Sequence, residues 1–246
     1  MPDEPRLEEQ ALSEAAEMAI STQLDGVENI DVDVQTNLLK MVQGQVDSVS
    51  MTGQGLVIQK DIRLHELELH TDGIAIDLFS AIFGEIELNK PVEATVRLVL
   101  TEQDINRAFN SDYFRRKFQG LELNVDDESV TLEPQQLKVY LPGGSKMEFS
   151  GTILLHEKSK TQRVGFTAMI RPRTLKQPLL LEAFNCTEGE GLSLELAIAF
   201  LKKAKELLNL PFFDLEGITF RIKQLEVQEG SMTLHTEAYV RQLPNL

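Results

Sequence analysis

Few side chains in this sequence are equipped for chemistry, and their spacing limits what they can do. The four histidines are His65, His70, His156 and His235. His65-Glu66 with His70 approaches the helical zinc-hydrolase motif, which needs two His four apart on one helix face. Here the spacing is H-E-x-x-x-H, and the neighbouring residues alternate as in a strand. The two imidazoles then fall on opposite faces, and no metal is expected. Cys186 is the single cysteine. It excludes an internal disulfide framework and a Cys-rich zinc site. With no adjacent His or basic cluster to favour a thiolate, it reads as core or half-buried filler. Asp31 and Asp33 share a strand face but alternate with Val32 and Val34, which makes them a solvated face rather than an acid–base pair. Asp126-Asp127-Glu128 lacks the D-x-D-x-D-G spacing of a calcium loop. No G-x-S-x-G elbow, phosphate-binding loop or G-x-G-x-x-G is present. The expectation is a non-enzyme with no catalytic residue, no metal and no cofactor.

The elements around these residues are mostly strands. A helical pattern runs through Leu7, Ala11, Leu12, Ala15, Ala16, Ala19 and Ile20, and Asp25-Gly26 marks its end. Period two then sets in at Ile30, Val32 and Val34. Leu56/Ile58 and Ile62/Leu64 continue it, and the phase slips at His65-Glu66 before Leu67/Leu69. That slip predicts a bulge near His65. Ile86, Leu88, Val92, Ala94, Val96, Leu98 and Leu100 share one parity, broken by Pro91. Alternation returns at Leu137/Val139/Leu141, Met147/Phe149/Ile153/Leu155, Val164/Phe166/Ala168/Ile170, Ile218/Phe220/Ile222 and Met232/Leu234/Ala238/Val240. One apolar and one polar face is the antiparallel pattern. Two further helices are expected. One spans 101–119, opened by the capping-box-like Thr101-Glu102-Gln103-Asp104 and closed by Gly120. The other spans 193–209, apolar nearly all round in its first half, with Lys202, Lys203 and Lys205 near the end where the helix dipole favours cations.

The fold class that follows is α+β: a long, curled, mainly antiparallel sheet with two or three helices against it. The expected organisation is a single domain over 1–246. It has a tail at 1–6, a helix at 7–22, and a sheet over 28–241 carrying the two inserted helices. The 246 residues suffice to bury a core without staples. No apolar run approaches the ~20 residues of a membrane-spanning helix. A net charge of −15 repels phosphate backbones, so nucleic acid is not an expected partner. The N-terminus lacks the basic and apolar regions of a secretion signal, which predicts a cytoplasmic protein, free or peripheral on a membrane.

What the chain offers instead is apolar surface. Leu78, Phe79, Ile82 and Phe83 lie between Asp77 and Gly84, too many large side chains for a short helix to bury on one side. Phe212 and Phe213 follow Pro211 at a second expected turn. Leu196 and Phe200 sit in the apolar half of the 193–209 helix. A sheet curled on such a helix would form an aliphatic channel suited to acyl chains. Arg115, Arg116, Arg171 and Arg173 are the clustered cations able to meet an anionic headgroup.

Three stretches carry a resemblance: Gly55-Leu56-Val57-Ile58-Gln59-Lys60-Asp61-Ile62-Arg63, Thr71-Asp72-Gly73-Ile74-Ala75-Ile76-Asp77, and Thr101-Glu102-Gln103-Asp104-Ile105-Asn106-Arg107-Ala108. They resemble the LmeA-like phospholipid-binding family over roughly residues 20–241. The resemblance implies a tubular lipid-binding-like fold and a lipid partner, and it brings no catalytic set. The leading expectation is non-enzymatic binding of a phospholipid or related acyl lipid, with presentation or transfer at a membrane surface. The rival is an adaptor whose groove holds a partner peptide or helix.

Overall fold

The computed structural model describes residues 7–75, 88–118, 120–125, 128–157, 160–172, 174, 177, 179–189, 193–208, 212–215 and 218–240. The class is α+β, dominated by curled antiparallel sheet with a few short helices. The chain divides into two compact units: residues 1–99, 211–224 and 233–246, and residues 100–210 and 225–232.

In the first unit, α1 (Leu7–Gln23) leads into β1 (Asn29–Gln35), the one-turn α2 (Leu38–Val42), β2 (Gln45–Gln59), β3 (Ile62–Ala75) and β4 (Val92–Thr101). With β10 (Phe212–Leu215), β11 (Ile218–Gln228) and β12 (Ser231–Val240) these strands form a seven-stranded sheet, ordered β1-β2-β3-β4-β12-β11-β10. Its core gathers Val32, Val34, Met51 and Leu56, on which α1 lays Leu12, Ala16 and Ile20. Asp31 and Asp33 are exposed between the buried valines, as their alternation requires.

The α1 helix does more than cover this core. β1 is an edge strand, and its outward N–H groups need partners. Glu9, Ser13 and Glu17, four apart and so on one helical stripe, accept from the main-chain N–H of Thr36, Val34 and Val32 at 3.1, 3.0 and 3.0 Å.

Two sequence readings in this unit need correction. No register shift occurs at His65: Gln54 pairs with Glu66 and Leu56 with Leu64 in unbroken register, and the irregularity lies between Val57 and Gln59. The apolar face changes on both strands together, because Gly55 opposite His65 adopts φ +62 and Leu56 turns into the core. In β4 the shared parity also ends early. Val92, Ala94 and Val96 are buried, but the next fully buried residue is Val99, with Leu98 only partly covered. The strand starts at Val92, directly after Pro91.

The second unit holds α3 (Glu102–Phe109), α4 (Asp112–Phe118), β5 (Leu121–Val125), β6 (Glu128–Gly143), β7 (Lys146–His156), β8 (Thr161–Arg171), β9 (Leu180–Glu188) and α5 (Leu194–Leu208). The five strands are antiparallel neighbours in chain order. Leu123, Val130, Leu132, Ile153, Leu155, Val164 and Phe166 form the core, together with Leu196 from α5.

The expected helix over 101–119 is two helices. Thr101 closes a full capping box with Asp104. At the break, Asn110 sits at φ −98 and ψ 4, and Ser111 accepts from Phe114 N through its hydroxyl, starting α4 afresh. Asn110 is drawn out of the helix by β6, since its side chain donates to Leu137 O at 3.1 Å.

Candidate functional site

The apolar residues of β6, β7 and β8 recur every second position, so they share one face of the five-stranded sheet. Pro134, which has no N–H to give a ladder, sits at an irregularity in the β6–β7 pairing. Leu132, Leu137, Phe149, Ile153, Phe166 and Ala168 floor a cavity of about 630 Å³. Phe109 from α3 and Phe114 from α4 stand at one side, their ring centroids 4.6 Å apart. The break at Asn110-Ser111 brings these two rings together. Phe184 from β9, stacked 6.0 Å from Phe166, lines it as well.

Leu180 and Leu181 of β9 and Ile198 of α5 also line the cavity and are 52%, 36% and 42% exposed. Large apolar side chains left in water around an apolar hollow are costly unless something covers them. Among the described lining residues, the polar side chains are those of Lys202 and Lys203. None of the described lining residues brings a carboxylate, imidazole or hydroxyl to the cavity.

The family model described as LmeA-like phospholipid-binding matches residues 4–237. The chain belongs to this family. No curated protein and no solved structure matches it. Membership in the LmeA-like phospholipid-binding family supports lipid as a partner class.

The residues singled out from sequence are scattered relative to this cavity. Leu196 is 4% exposed and belongs to the packed core beside it. Phe200 is on α5, but its side chain is outside the described part, and Leu78, Phe79, Ile82 and Phe83 lie outside the described residues altogether. Phe212 and Phe213 are in strand β10 rather than in a turn, with side chains likewise outside the description. Arg115 and Arg116 are on α4, next in sequence to the cavity residue Phe114. Arg171 follows the lining residue Ile170 on β8, is not itself among the lining residues, and pairs with Glu182 at 2.5 Å. Arg173 is outside the described residues. Cys186 is exposed on β9, not core filler.

Sequence reading missed Lys202 and Lys203 as part of a site. Their place near a helix C-terminus explains them without a cavity, and no linear pattern ties them to Phe149 or Phe184.

It also missed a side-chain relay in the first unit. Ser50 Oγ lies 2.9 Å from His70 Nδ1, and His70 Nε2 lies 3.1 Å from Asp72 Oδ1. The order resembles a hydrolytic triad. Ser50 and His70 are cross-strand partners and Asp72 follows two residues after His70 on β3; Asp72 is 87% exposed, and none of the three lines either described cavity. Neither described cavity gives that serine a substrate pocket. The described residues contain no group of His, Cys, Asp and Glu fit to hold a metal.

A second cavity, of about 680 Å³, is lined by Gln103, Asn106, Asn110, Gln136, Ser150 and Thr152 among others. Asn106 and Asn110 are committed to the β6 main chain. Among the described residues no helix is long and apolar enough to cross a membrane.

Proposed function

We propose that this protein is a non-enzymatic lipid carrier that shelters hydrocarbon in the cavity of its second unit and exchanges it at a membrane surface. The observation that carries the reading is the cavity rim: Leu180, Leu181 and Ile198 stay exposed around a hollow floored by aliphatic and aromatic side chains. Each methylene moved from water into such a lining contributes about 0.8 kcal/mol without needing a directional bond. A pocket of this kind therefore favours an acyl chain over a polar metabolite. Family membership supports lipid as the ligand class.

Contact with a membrane needs its own surface, and α2 supplies a candidate. Leu38, Leu39 and Val42 are 58%, 71% and 76% exposed on a helix that buries none of its residues. An apolar turn of this kind favours the interfacial layer of a bilayer.

The test is organic extraction of gently purified protein with mass spectrometry, followed by uptake of labelled lipid from vesicles. Co-purifying acyl lipid and saturable uptake are expected. Protein that carries no lipid and extracts none from vesicles ends the carrier reading, and capture of a defined peptide with no lipid uptake would put the adaptor in its place.

A further inference from the structure

We infer that the cavity of the second unit shelters one unbranched hydrocarbon tail of about 20 carbons, lying extended along the strands. This rests on the carrier reading and adds how much of a lipid is taken in. Two separate measures of the hollow give the same figure. The first is length. The lining residue Leu132 on β6 pairs with Leu155 of β7, and the lining residue Ile170 on β8 pairs with Met147 of the same strand. The lining thus runs along β7 from Leu155 to Met147, about 26 Å at about 3.3 Å per residue. A carbon zigzag with bonds of about 1.5 Å advances about 1.3 Å per atom, so about 20 carbons fit end to end.

The second measure is volume. A methylene takes about the room of a water molecule in the liquid, about 30 Å³, so a hollow of about 630 Å³ holds about 20 of them. The agreement fixes the number of tails. Two tails side by side over that length need about twice the volume, and a tail doubled back leaves half of the length unfilled. The slot does not lengthen in either direction. Beyond Leu132 the next residue of β6 on that face, Val130, and its partner Leu123 are buried core. At the other end Leu181, paired with Ile170, and Leu180, paired with Arg171, are exposed to water.

The ligand chemistry is a single unbranched acyl chain, supplied by a single-tailed lipid or by one tail of a diacyl lipid whose second tail stays outside. The experiment uses the full chain, stripped of lipid. Titration calorimetry with oleate should saturate at one fatty acid per protein, and saturation at two overturns the inference. Unbranched fatty acids of about 12 to about 24 carbons then displace a fluorescent fatty acid, with affinities referred to free monomer. Binding should tighten about fourfold per methylene and level off near about 20 carbons. A plateau reached by about 14 carbons, or none by about 24, overturns the inference and leaves the carrier standing. Ala168→Phe, checked for folding by a circular dichroism melt, should move the plateau to shorter chains, and a plateau left in place overturns the assignment. Lysophosphatidylcholine and the diacyl lipid with the same tails identify the source. Binding of the single-tailed lipid alone assigns the tail to single-tailed lipids, and comparable affinity for both assigns it to one tail of a diacyl lipid. A diacyl lipid bound more than about a hundredfold tighter also overturns the inference, because its second tail is then sheltered too. No binding of any of these lipids removes the carrier reading itself.

Discussion

Asn106 on α3 and Val139 on β6 exchange two hydrogen bonds, as paired residues of neighbouring strands do. Asn106 Nδ2 donates to Val139 O at 2.8 Å, and Val139 N donates to Asn106 Oδ1 at 2.7 Å. Glu102, one turn earlier, accepts from Leu141 N at 2.9 Å, and Asn110, one turn later, donates to Leu137 O. Steps of four along the helix match steps of two along the strand, since both advance about 6–7 Å. A helical stripe thus completes a strand edge beyond the reach of β5, which pairs only with residues 128–132 of β6.

Removing that amide should be strongly destabilising. Val139 has no exposed surface, so Asn106→Ala leaves a buried N–H and C=O without partners. A loss of about 2 kcal/mol in unfolding free energy is expected. Asn106→Asp, which keeps the acceptor and loses the donor, should cost less at the Val139 N–H. Urea denaturation of both variants checks this, and equal stability of Asn106→Ala and native protein would remove the edge-closing role.

The same device in the first unit gives a graded expectation. Ser13→Ala removes one acceptor from the N–H of Val34 and should cost about 1 kcal/mol. Amide hydrogen exchange should quicken at Val34 in that variant, with Val32 and Thr36 still held by Glu17 and Glu9. Unchanged exchange at Val34 contradicts the assignment.

These stripes mark the limit of what the sequence discloses. The strand faces at Val164/Phe166/Ala168/Ile170 and the capping box at Thr101 are local patterns, and both are found as read. Glu9, Ser13 and Glu17, or Glu102, Asn106 and Asn110, read as ordinary solvent faces of amphipathic helices. Their partners lie 15–39 residues away, and the signal of a strand edge needing closure appears only once strand order is known. The cavity was legible as an apolar sheet face, but its membership was not. Phe109 and Phe114 enter it only because Asn110 leaves the helix for β6, and the apolar segment at residues 78–83 that looked most like a mouth is outside the described residues.

Filling the hollow separates ligand space from core packing. Ala168 is half-buried on the cavity floor, paired across the sheet with Phe149 and Phe184. Ala168→Phe should lower lipid uptake at least about fivefold. In a packed core the same change costs ~1–3 kcal/mol through strain; here, with room above the floor, the stripped protein should melt no lower than native. A large loss of stability with normal uptake would show that the site is solid.

Acid should loosen the β9 wall. Glu182 is held below the ordinary carboxylate value of 4.5, first by the hydrogen bond from Lys146 on β7 and then by the charge of Arg171 on β8. A lowered folded pKa means that its stabilising contribution is complete above the unfolded value and is lost as pH falls through the folded one. Glu133, lowered by His156, adds to the same trend. Exchange of β9 amides should therefore be insensitive to pH from neutrality down to about 5, after correction for intrinsic rates, and accelerate below about 4. Glu182→Gln should show the faster exchange already at neutral pH. A variant with native protection across the range would remove Glu182 from the clamp.

The α2 surface makes the membrane step testable apart from lipid storage. Leu39 and Val42 contact little of the folded chain, being 71% and 76% exposed, so Leu39→Ser/Val42→Ser should change stability by no more than about 0.5 kcal/mol. In an interfacial layer each apolar side chain that leaves water contributes about 1.5–3 kcal/mol, so the double change should weaken vesicle binding at least about tenfold. The Lys40–Asp47 pair neutralises the one cation of this turn, which makes the attraction apolar and little affected by salt. Co-sedimentation with vesicles at low and high salt reads both effects. Because α2 and the cavity belong to different units, uptake of lipid presented in detergent should be native in the same variant. If vesicle binding stays native while Leu39 and Val42 are serine, the membrane contact is made elsewhere.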